Sequence, residues 1–274
     1  MTSGLALGVH TFGLMWDLSA ADAIRELGAR GFKRFELIAT PPHFSLRDTD
    51  GEQLKAIKAA LSDIGGEILS LDLPSTDVNL GSPSPEVRAF AVQLYRWAVD
   101  RASELGAPWV VILAGRRHGL LPPPDERLIA CFETAMDELA PYAAARGTRL
   151  LLEIHPQTLL PDSAALSGYI ERSGHSNLDI LYDIPNGIAA GEDPRAGLRR
   201  CQAHLAMVHL SDAPRGEWKH DPIGQGDVDF GAIRQELAEM EFNGSVVLEV
   251  IAPDAIRRLV EGRDKLAAAG WNFS

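Results

Sequence analysis

The sequence predicts a (β/α)8 barrel built as one domain over residues 1–274, and three observations carry that reading. Eight short apolar, β-branched runs recur with starts about 34 residues apart. A segment with helical periodicity lies between each pair. The first run ends in His10-Thr11-Phe12-Gly13-Leu14, which lacks the glycine-rich phosphate turn that an open, doubly wound sheet places after its first strand. No linker, charge run or low-complexity stretch divides the chain.

In order, the strand-like runs are residues 5–10 (LALGVH), 32–38 (FKRFELI), 67–73 (EILSLDL), 109–114 (WVVILA), 149–155 (RLLLEIH), 178–183 (LDILYD), 205–210 (LAMVHL) and 245–251 (SVVLEVI). Between the third and fourth, Val87, Phe90, Ala91, Leu94, Ala98 and Leu105 fall on one stripe of an amphipathic helix. Leu128, Phe132, Ala135 and Leu139 do the same in the next segment. Asp193-Pro194 reads as an N-cap followed by proline at the first helical position, and Ser19 with Asp22 resembles a capping box. Gly31, Gly65-Gly66, Gly106, Gly147 and Gly244 stand where helices must stop before the next strand.

Composition narrows the function. The 274 residues are 46% apolar and include 25 Gly, 17 Pro and only 2 Cys, which excludes disorder, a collagen-like repeat and a disulfide scaffold. With 38 acidic against 26 basic side chains the formal charge is −12, which counts against a nucleic-acid partner, since such binders neutralise phosphates with Lys and Arg. Cys131 and Cys201 form no CxxC pair and fit a reducing, cytoplasmic setting. The opening residues carry no basic n-region of a secretory signal. The longest apolar run, residues 107–114, has strand length and is far short of the ~20 residues of a membrane helix.

The chemistry-bearing residues fall where a barrel keeps its chemistry, at the C-terminal ends of strands and in the loops that follow. Six of the eight histidines lie there: His10, His43, His118, His155, His209 and His220. Acids inside apolar runs say more. Glu153 follows three leucines and Glu249 follows Val246-Val247-Leu248, and a carboxylate in a buried strand costs several kcal/mol unless it is paired or binds a metal. Asp183 closes the sixth run and His209 sits in Met207-Val208-His209-Leu210. Glu153, Asp183, His209 and Glu249 therefore occupy four consecutive strands. Three oxygens and an imidazole suit one divalent cation, Mn2+, Mg2+, Co2+ or Zn2+, and the oxygen-rich set favours the harder ions, manganese among them. Buried ion pairs with Arg or Lys are the alternative explanation.

Alternation places His155 on the same side as Glu153, one layer nearer the mouth. The long loop after the seventh strand, residues 211–228, has the length of a lid and carries Asp212, Arg215, Trp218, Lys219 and His220. Gly224-Gln225-Gly226 is too short a motif for a phosphate cradle and reads as a turn before a helix starting near Asp229. Phe12, Trp16, Asp17, Glu36 and His43 are further pocket candidates, with loop packing as their alternative, and Arg116, Arg117 and His118 are candidates for holding an anionic group.

Five segments, Leu-Leu-Glu153-Ile-His155, Leu-Tyr-Asp183, Val-His209-Leu-Ser-Asp212, Ile223-Gly-Gln-Gly-Asp-Val-Asp-Phe230 and Val-Leu-Glu249-Val, resemble the xylose isomerase-like barrel superfamily, in particular its sugar phosphate isomerase/epimerase group. The resemblance covers essentially the whole chain. It implies that Glu153, Asp183, His209 and Glu249 hold one divalent metal and that Glu153 and Glu249 are the proton-transferring pair. It also implies a substrate contact from Arg215, six residues after the ligand histidine, and His155, His220, Asn186, Lys219 and His10 are further candidates for contacting the substrate. The chain departs from the similar ketose 3-epimerases at Asn186, where they carry histidine, and at Leu159, where they carry glutamate. Trp218 stands where endonuclease IV, a related three-zinc nuclease, has an aspartate. Glu153-Ile-His-Pro-Gln-Thr-Leu159 is also similar to the matching segment of 3-dehydroshikimate dehydratases.

The expected function is a metal-dependent sugar or sugar-phosphate isomerase or epimerase of carbohydrate metabolism. It abstracts a proton next to a metal-bound carbonyl and works through an enediolate. A metal-dependent dehydratase of the 3-dehydroshikimate or inosose type, acting on a polyhydroxy keto acid, is the alternative, followed by an endonuclease IV-like repair nuclease and an inactive sugar-binding barrel. The expected partner is a small molecule, with no nucleic acid and no membrane. The family resemblance also suits a homo-oligomer.

Overall fold

The computed structural model describes residues 4–48, 50–74 and 78–274; the opening residues, where a leader was sought, lie partly outside these. Eight parallel strands close into a barrel in chain order. They are β1 (Ala6–His10), β2 (Arg34–Ile38), β3 (Glu67–Asp72), β4 (Trp109–Ile112), β5 (Arg149–Glu153), β6 (Leu178–Asp183), β7 (Leu205–Leu210) and β8 (Ser245–Leu248). The helices are α1 (Ala20–Gly28), α2 (Glu52–Ile64), α3 (Pro85–Leu105), α4 (Asp125–Ala144), α5 (Ser163–Ser173), α6 (Ile184–Ala189), α7 (Pro194–Cys201), α8 (Phe230–Glu239) and α9 (Ala255–Ala268). The (β/α)8 barrel expected from the eight runs is therefore the observed fold.

Local signals place several of these ends. Ser19 caps α1 by accepting the amide of Asp22, and Asp193 caps α7 by accepting the amide of Ala196 with Pro194 at the first helical position. The long α3 forms as expected and buries Ala91 and Ala98 of the expected stripe, with Leu94 and Leu105 packed against the core, but the first two members of the stripe are not buried. Ala91, Val92, Tyr95, Ala98, Val99 and Ala102 pack inward, whereas Val87 and Phe90 stand 50% and 61% exposed. Small residues let the helix approach the strands closely, and the large apolar side chains near its start were misleading.

Strand alternation divides the core in two. Val9, Phe35, Leu37, Leu150, Leu152, Tyr182, Val208 and Leu248 face outward beneath the helices. Leu69, Val111, Leu151, Leu181, Met207 and Val247 face inward and form a separate apolar layer inside the barrel. Burying each such side chain contributes roughly 1.5–3 kcal/mol. Gly8 on β1 keeps that layer packable, because a Cβ there would lie 2.7 Å from Leu69 Cδ1 and 3.2 Å from Val247 Cγ2. β3 carries an irregularity: Phe35 pairs with Ile68 but Glu36 pairs with Ser70. The extra residue, Leu69, lets Ser70 and Asp72 face the interior beside Glu36. No helix among the described residues is long and apolar enough to cross a membrane.

Candidate metal centre and active site

Glu153, Asp183, His209 and Glu249 meet at the C-terminal mouth of the barrel, each offering a ligand atom within 4.8 Å of the others, and all four are buried. Their convergence follows from period-two alternation. Each stands two residues beyond a member of the inward apolar layer: Leu151, Leu181, Met207 and Val247. Pairing of Asp183 with His209 and of His209 with Val247 fixes their relative heights.

The electrostatics of this group call for a positive charge. Three carboxylates are buried together, yet no Lys or Arg occurs among the buried described residues, so the ion-pair alternative is excluded for them. A buried carboxylate without a counter-charge is strongly unfavourable. Asp183 Oδ1 accepts the amide of Asn186 at 2.6 Å as the N-cap of α6, while Asp183 Oδ2 is buried with no hydrogen-bond partner. His209 Nδ1 lies 3.2 Å from Glu249 Oε2 and 3.6 Å from Asp183 Oδ2. His220, supplied by the loop after β7, places Nδ1 3.2 Å from Glu249 Oε2 and 3.7 Å from Asp183 Oδ2.

Burial opposes a proton on His220, but the Asp183 and Glu249 carboxylates outweigh it and push the ring up to about 9. Burial likewise opposes a charge on His209, and the Glu36 and Glu249 carboxylates raise it well above the usual range. Burial, then the neighbouring Glu249 carboxylate, raises Glu153. Burial also works against a charge on Glu249, yet His220 and His209 hold it well below the usual carboxylate range. The cluster thus draws protons to the same atoms that would face a cation. An oxygen-rich set with one imidazole nitrogen and a free carboxylate oxygen fits a single divalent ion.

A second set of contacts orients Glu153. The Asn186 side-chain amide donates to Glu153 Oε1 at 3.1 Å, and Trp218 Nε1 donates to Asn186 Oδ1 at 2.7 Å. An indole nitrogen can only donate, so the orientation of the Asn186 amide is fixed by Trp218. The Trp218 ring also meets His155 edge-on at 4.9 Å. His155 Nδ1 accepts the amide of Gln157, and burial pushes the ring down to about 4.

The loop carrying Trp218 and His220 is organised by Asp212. Its Oδ2 accepts the amides of Gly224 and Gln225 at 2.7 and 3.1 Å, and its Oδ1 accepts those of Ala213 and Val228 at 3.0 and 3.1 Å. The Gly-Gln-Gly segment therefore wraps the chain's own carboxylate. A Cβ on Gly226 would fall 2.4 Å from the Ala213 carbonyl carbon and 2.5 Å from Asp212 Oδ1.

The remaining candidates are placed as follows. His10 lies beneath the mouth with no exposed side-chain surface, its Nε2 3.0 Å from Glu36 Oε1 and 3.4 Å from Asp72 Oδ2. Arg215 is exposed and lines a groove of about 410 Å³ with Glu192, Arg195 and Asp227, apart from the four converging residues. Lys219 pairs with Glu217 at 2.5 Å on the loop surface. His43 is loop packing, bonded to the Leu18 carbonyl at 2.7 Å and to Thr11 Oγ1 at 2.9 Å, and Trp16 is 66% exposed. Arg116 is engaged by Gln157, and Arg117 by Asp125 and the Thr158 carbonyl, so both brace the loops after β4 and β5. His118 Nδ1 accepts the amides of Leu120 and Leu121.

Sequence reasoning gave too little weight to Glu36 and passed over Asp72 and Ser70. His10, Glu36 and Asp72 form a second group of converging ligand atoms within 4.8 Å. Glu36 in Phe35-Glu36-Leu37 and Asp72 in Leu71-Asp72-Leu73 carried the same signal that marked Glu153, an acid inside an apolar run.

Comparison with known proteins agrees with this architecture. The family model for the xylose isomerase-like TIM barrel matches residues 21–270. L-ribulose-5-phosphate 3-epimerase of Shigella boydii is 25% identical, with 98% of each chain covered. Among solved structures, a D-tagatose 3-epimerase-like protein superposes with a TM-score of 0.85 at 21% identity, covering 97% of each chain. D-psicose 3-epimerase from Clostridium cellulolyticum H10 gives 0.80 at 18% identity, covering 97% of this chain and 99% of its own. At these identities the two structures bear on the fold.

Proposed function

The chain belongs to the xylose isomerase-like TIM barrel family, and from that premise we propose that it is a sugar or sugar-phosphate 3-epimerase that uses one divalent cation. One observation carries the reading: three buried carboxylates and an imidazole converge at the mouth with no Lys or Arg buried beside them. The curated relative named above, an epimerase of a ketopentose phosphate, supports the substrate class.

Glu153, Asp183, His209 and Glu249 would hold the cation. When bound, the cation supplies a Lewis acid that makes the proton next to a substrate carbonyl easier to remove. The chain's own groups do the rest. Glu153 on β5 and Glu249 after β8 flank Asp183 and His209 along the barrel wall, so their carboxylates reach a bound carbon from two sides. One takes the proton and the other returns it to the opposite face, which inverts the centre. Asn186 holds Glu153 in place, and Trp218, packed edge-on against His155, holds Asn186.

The test is metal analysis of protein purified without chelators, followed by incubation of ketoses, ketose phosphates and 3-dehydroshikimate in D2O. Deuterium wash-in at the carbon next to the carbonyl is expected. Glu249→Gln should lower it by about 10²- to 10⁴-fold, the usual contribution of a general base. Unchanged wash-in would remove Glu249 from the mechanism. Elimination of water from the keto acid without epimerisation of any ketose would assign a dehydratase instead.

A further inference from the structure

We propose that Glu36 is a positioning residue that fixes the tautomer and orientation of His209, so that its Nδ1 lone pair is presented to the cation. This inference rests on the reading that Glu153, Asp183, His209 and Glu249 hold a metal.

His209 uses its two ring nitrogens in opposite directions. Nδ1 faces the carboxylates of Asp183 and Glu249, while Nε2 lies 3.1 Å from Glu36 Oε1. A neutral imidazole carries one proton, and only the tautomer protonated at Nε2 leaves Nδ1 free to act as a ligand. Carboxylates face both nitrogens, Glu249 on the Nδ1 side and Glu36 on the Nε2 side. With a cation on Nδ1 the proton is confined to Nε2, where the nearby Glu36 carboxylate stabilises it, helps set the ring plane and makes the ring a better donor to the metal. Glu36 is fully buried and comes from β2, well round the barrel from β7. It is therefore not part of the metal-binding quartet, although it reaches the same histidine.

Glu36 is itself held through one oxygen and lies close to His10 through the other. The Ser70 hydroxyl donates to Oε2, and the β3 irregularity beside Leu69 is what turns Ser70 inward to do so. Oε1 lies 3.0 Å from His10 Nε2. His10 Nδ1 accepts the amide of Phe12 at 2.9 Å, so its proton sits on Nε2, the nitrogen nearer Glu36 and Asp72. Those carboxylates would favour a second proton on the ring, but it would have to sit on Nδ1, against the Phe12 N–H. The same tautomer argues against a second cation held by His10, Glu36 and Asp72. A nitrogen that already carries a proton has no lone pair to give, and the Glu36 oxygens already face three donors.

The experiment compares Mn2+ and Co2+ binding to wild-type protein, Glu36→Gln and Ser70→Ala, by calorimetry on chelator-treated protein with folding checked by circular dichroism. Wild type is expected to bind one equivalent. Glu36→Gln keeps the shape and removes the charge, and should weaken binding by about 10- to 100-fold, the range for partners that orient metal ligands. It should also alter the visible absorption of bound Co2+, which a merely structural change would leave alone. Ser70→Ala, a milder change, should give a smaller loss in the same direction. A folded Glu36→Gln with wild-type affinity and an unchanged Co2+ spectrum overturns the inference. If Glu36→Gln does not fold, wild-type affinity in Ser70→Ala overturns it. Two equivalents in wild type falling to one in Glu36→Gln would make Glu36 a ligand and overturn it too. No cation uptake by wild type overturns the metal reading itself, a result distinct from all of these.

Discussion

Replacing Asp212 by Asn should cost the protein about 3 kcal/mol or more of stability and most of its activity. The Asp212 carboxylate receives four backbone amides, two on each oxygen. In the amide variant one oxygen becomes an NH2 group, which cannot accept, so one pair of N–H donors is left facing another donor. A hydrogen bond to a charged acceptor contributes roughly 1.5–3 kcal/mol, and two lost bonds sum to roughly 3–6 kcal/mol. Rearrangement of the exposed part of the loop and entry of water move the expectation towards the lower end. That is still a large share of a typical 5–15 kcal/mol total. Urea unfolding measures the loss, provided the slope against denaturant is unchanged. Limited proteolysis should show earlier cleavage within residues 214–221. Turnover should fall as well, because the same loop brings His220 to Glu249 and Trp218 to Asn186. A loss below about 1 kcal/mol, with an uncut loop, would refute the view that Asp212 organises it.

Three further outcomes are expected. Chelation should lower the melting temperature by roughly 8–16 °C from protein held near 1,000 times its dissociation constant, which corresponds to about 4 kcal/mol of linked stability; an unmoved transition would mean that no cation stabilises the fold. Trp218→Phe keeps the ring against His155 but removes the N–H that fixes Asn186, so the rate should drop by roughly 3- to 10-fold, equivalent to one neutral hydrogen bond; unchanged kinetics would show that Asn186 needs no such lock. His43 is held neutral because burial lowers it, with its two nitrogens shared between Leu18 and Thr11. Its folded pKa is below the unfolded value of about 6.5, so its contribution is complete above that pH and is lost as pH falls beneath it. The melting temperature should decline between about pH 7 and pH 5 more steeply in wild type than in His43→Asn.

The strands were readable because alternation and apolar runs both report burial. β6 and β7 match their runs end to end. The runs at 109–114 and 245–251 extend past the paired residues, since Leu113, Ala114 and Val250 stay buried after the hydrogen-bond ladder has ended. Apolarity marks the core, whereas pairing stops where the barrel mouth opens. The four converging residues were readable for the same reason, each being an inward position two residues beyond a core residue. His220 was placed on a substrate-contacting loop, but its reach to Glu249 depends on a fold-back pinned by Asp212, which no local spacing encodes. Arg215 shows the converse, since it keeps a motif's spacing while its side chain lines a groove elsewhere. Glu36 was under-read because its partners come from three other strands, and one of them, Ser70, faces inward only through the offset in β3.

The apolar layer of Leu69, Val111, Leu151, Leu181, Met207 and Val247 stoppers the cylinder below the site. A molecule meeting the four converging residues would therefore have to arrive from the C-terminal end of the strands, because the core layer closes the way from below. Trp218 and His155, in edge-on contact above that layer, stand on the same side as the four converging residues.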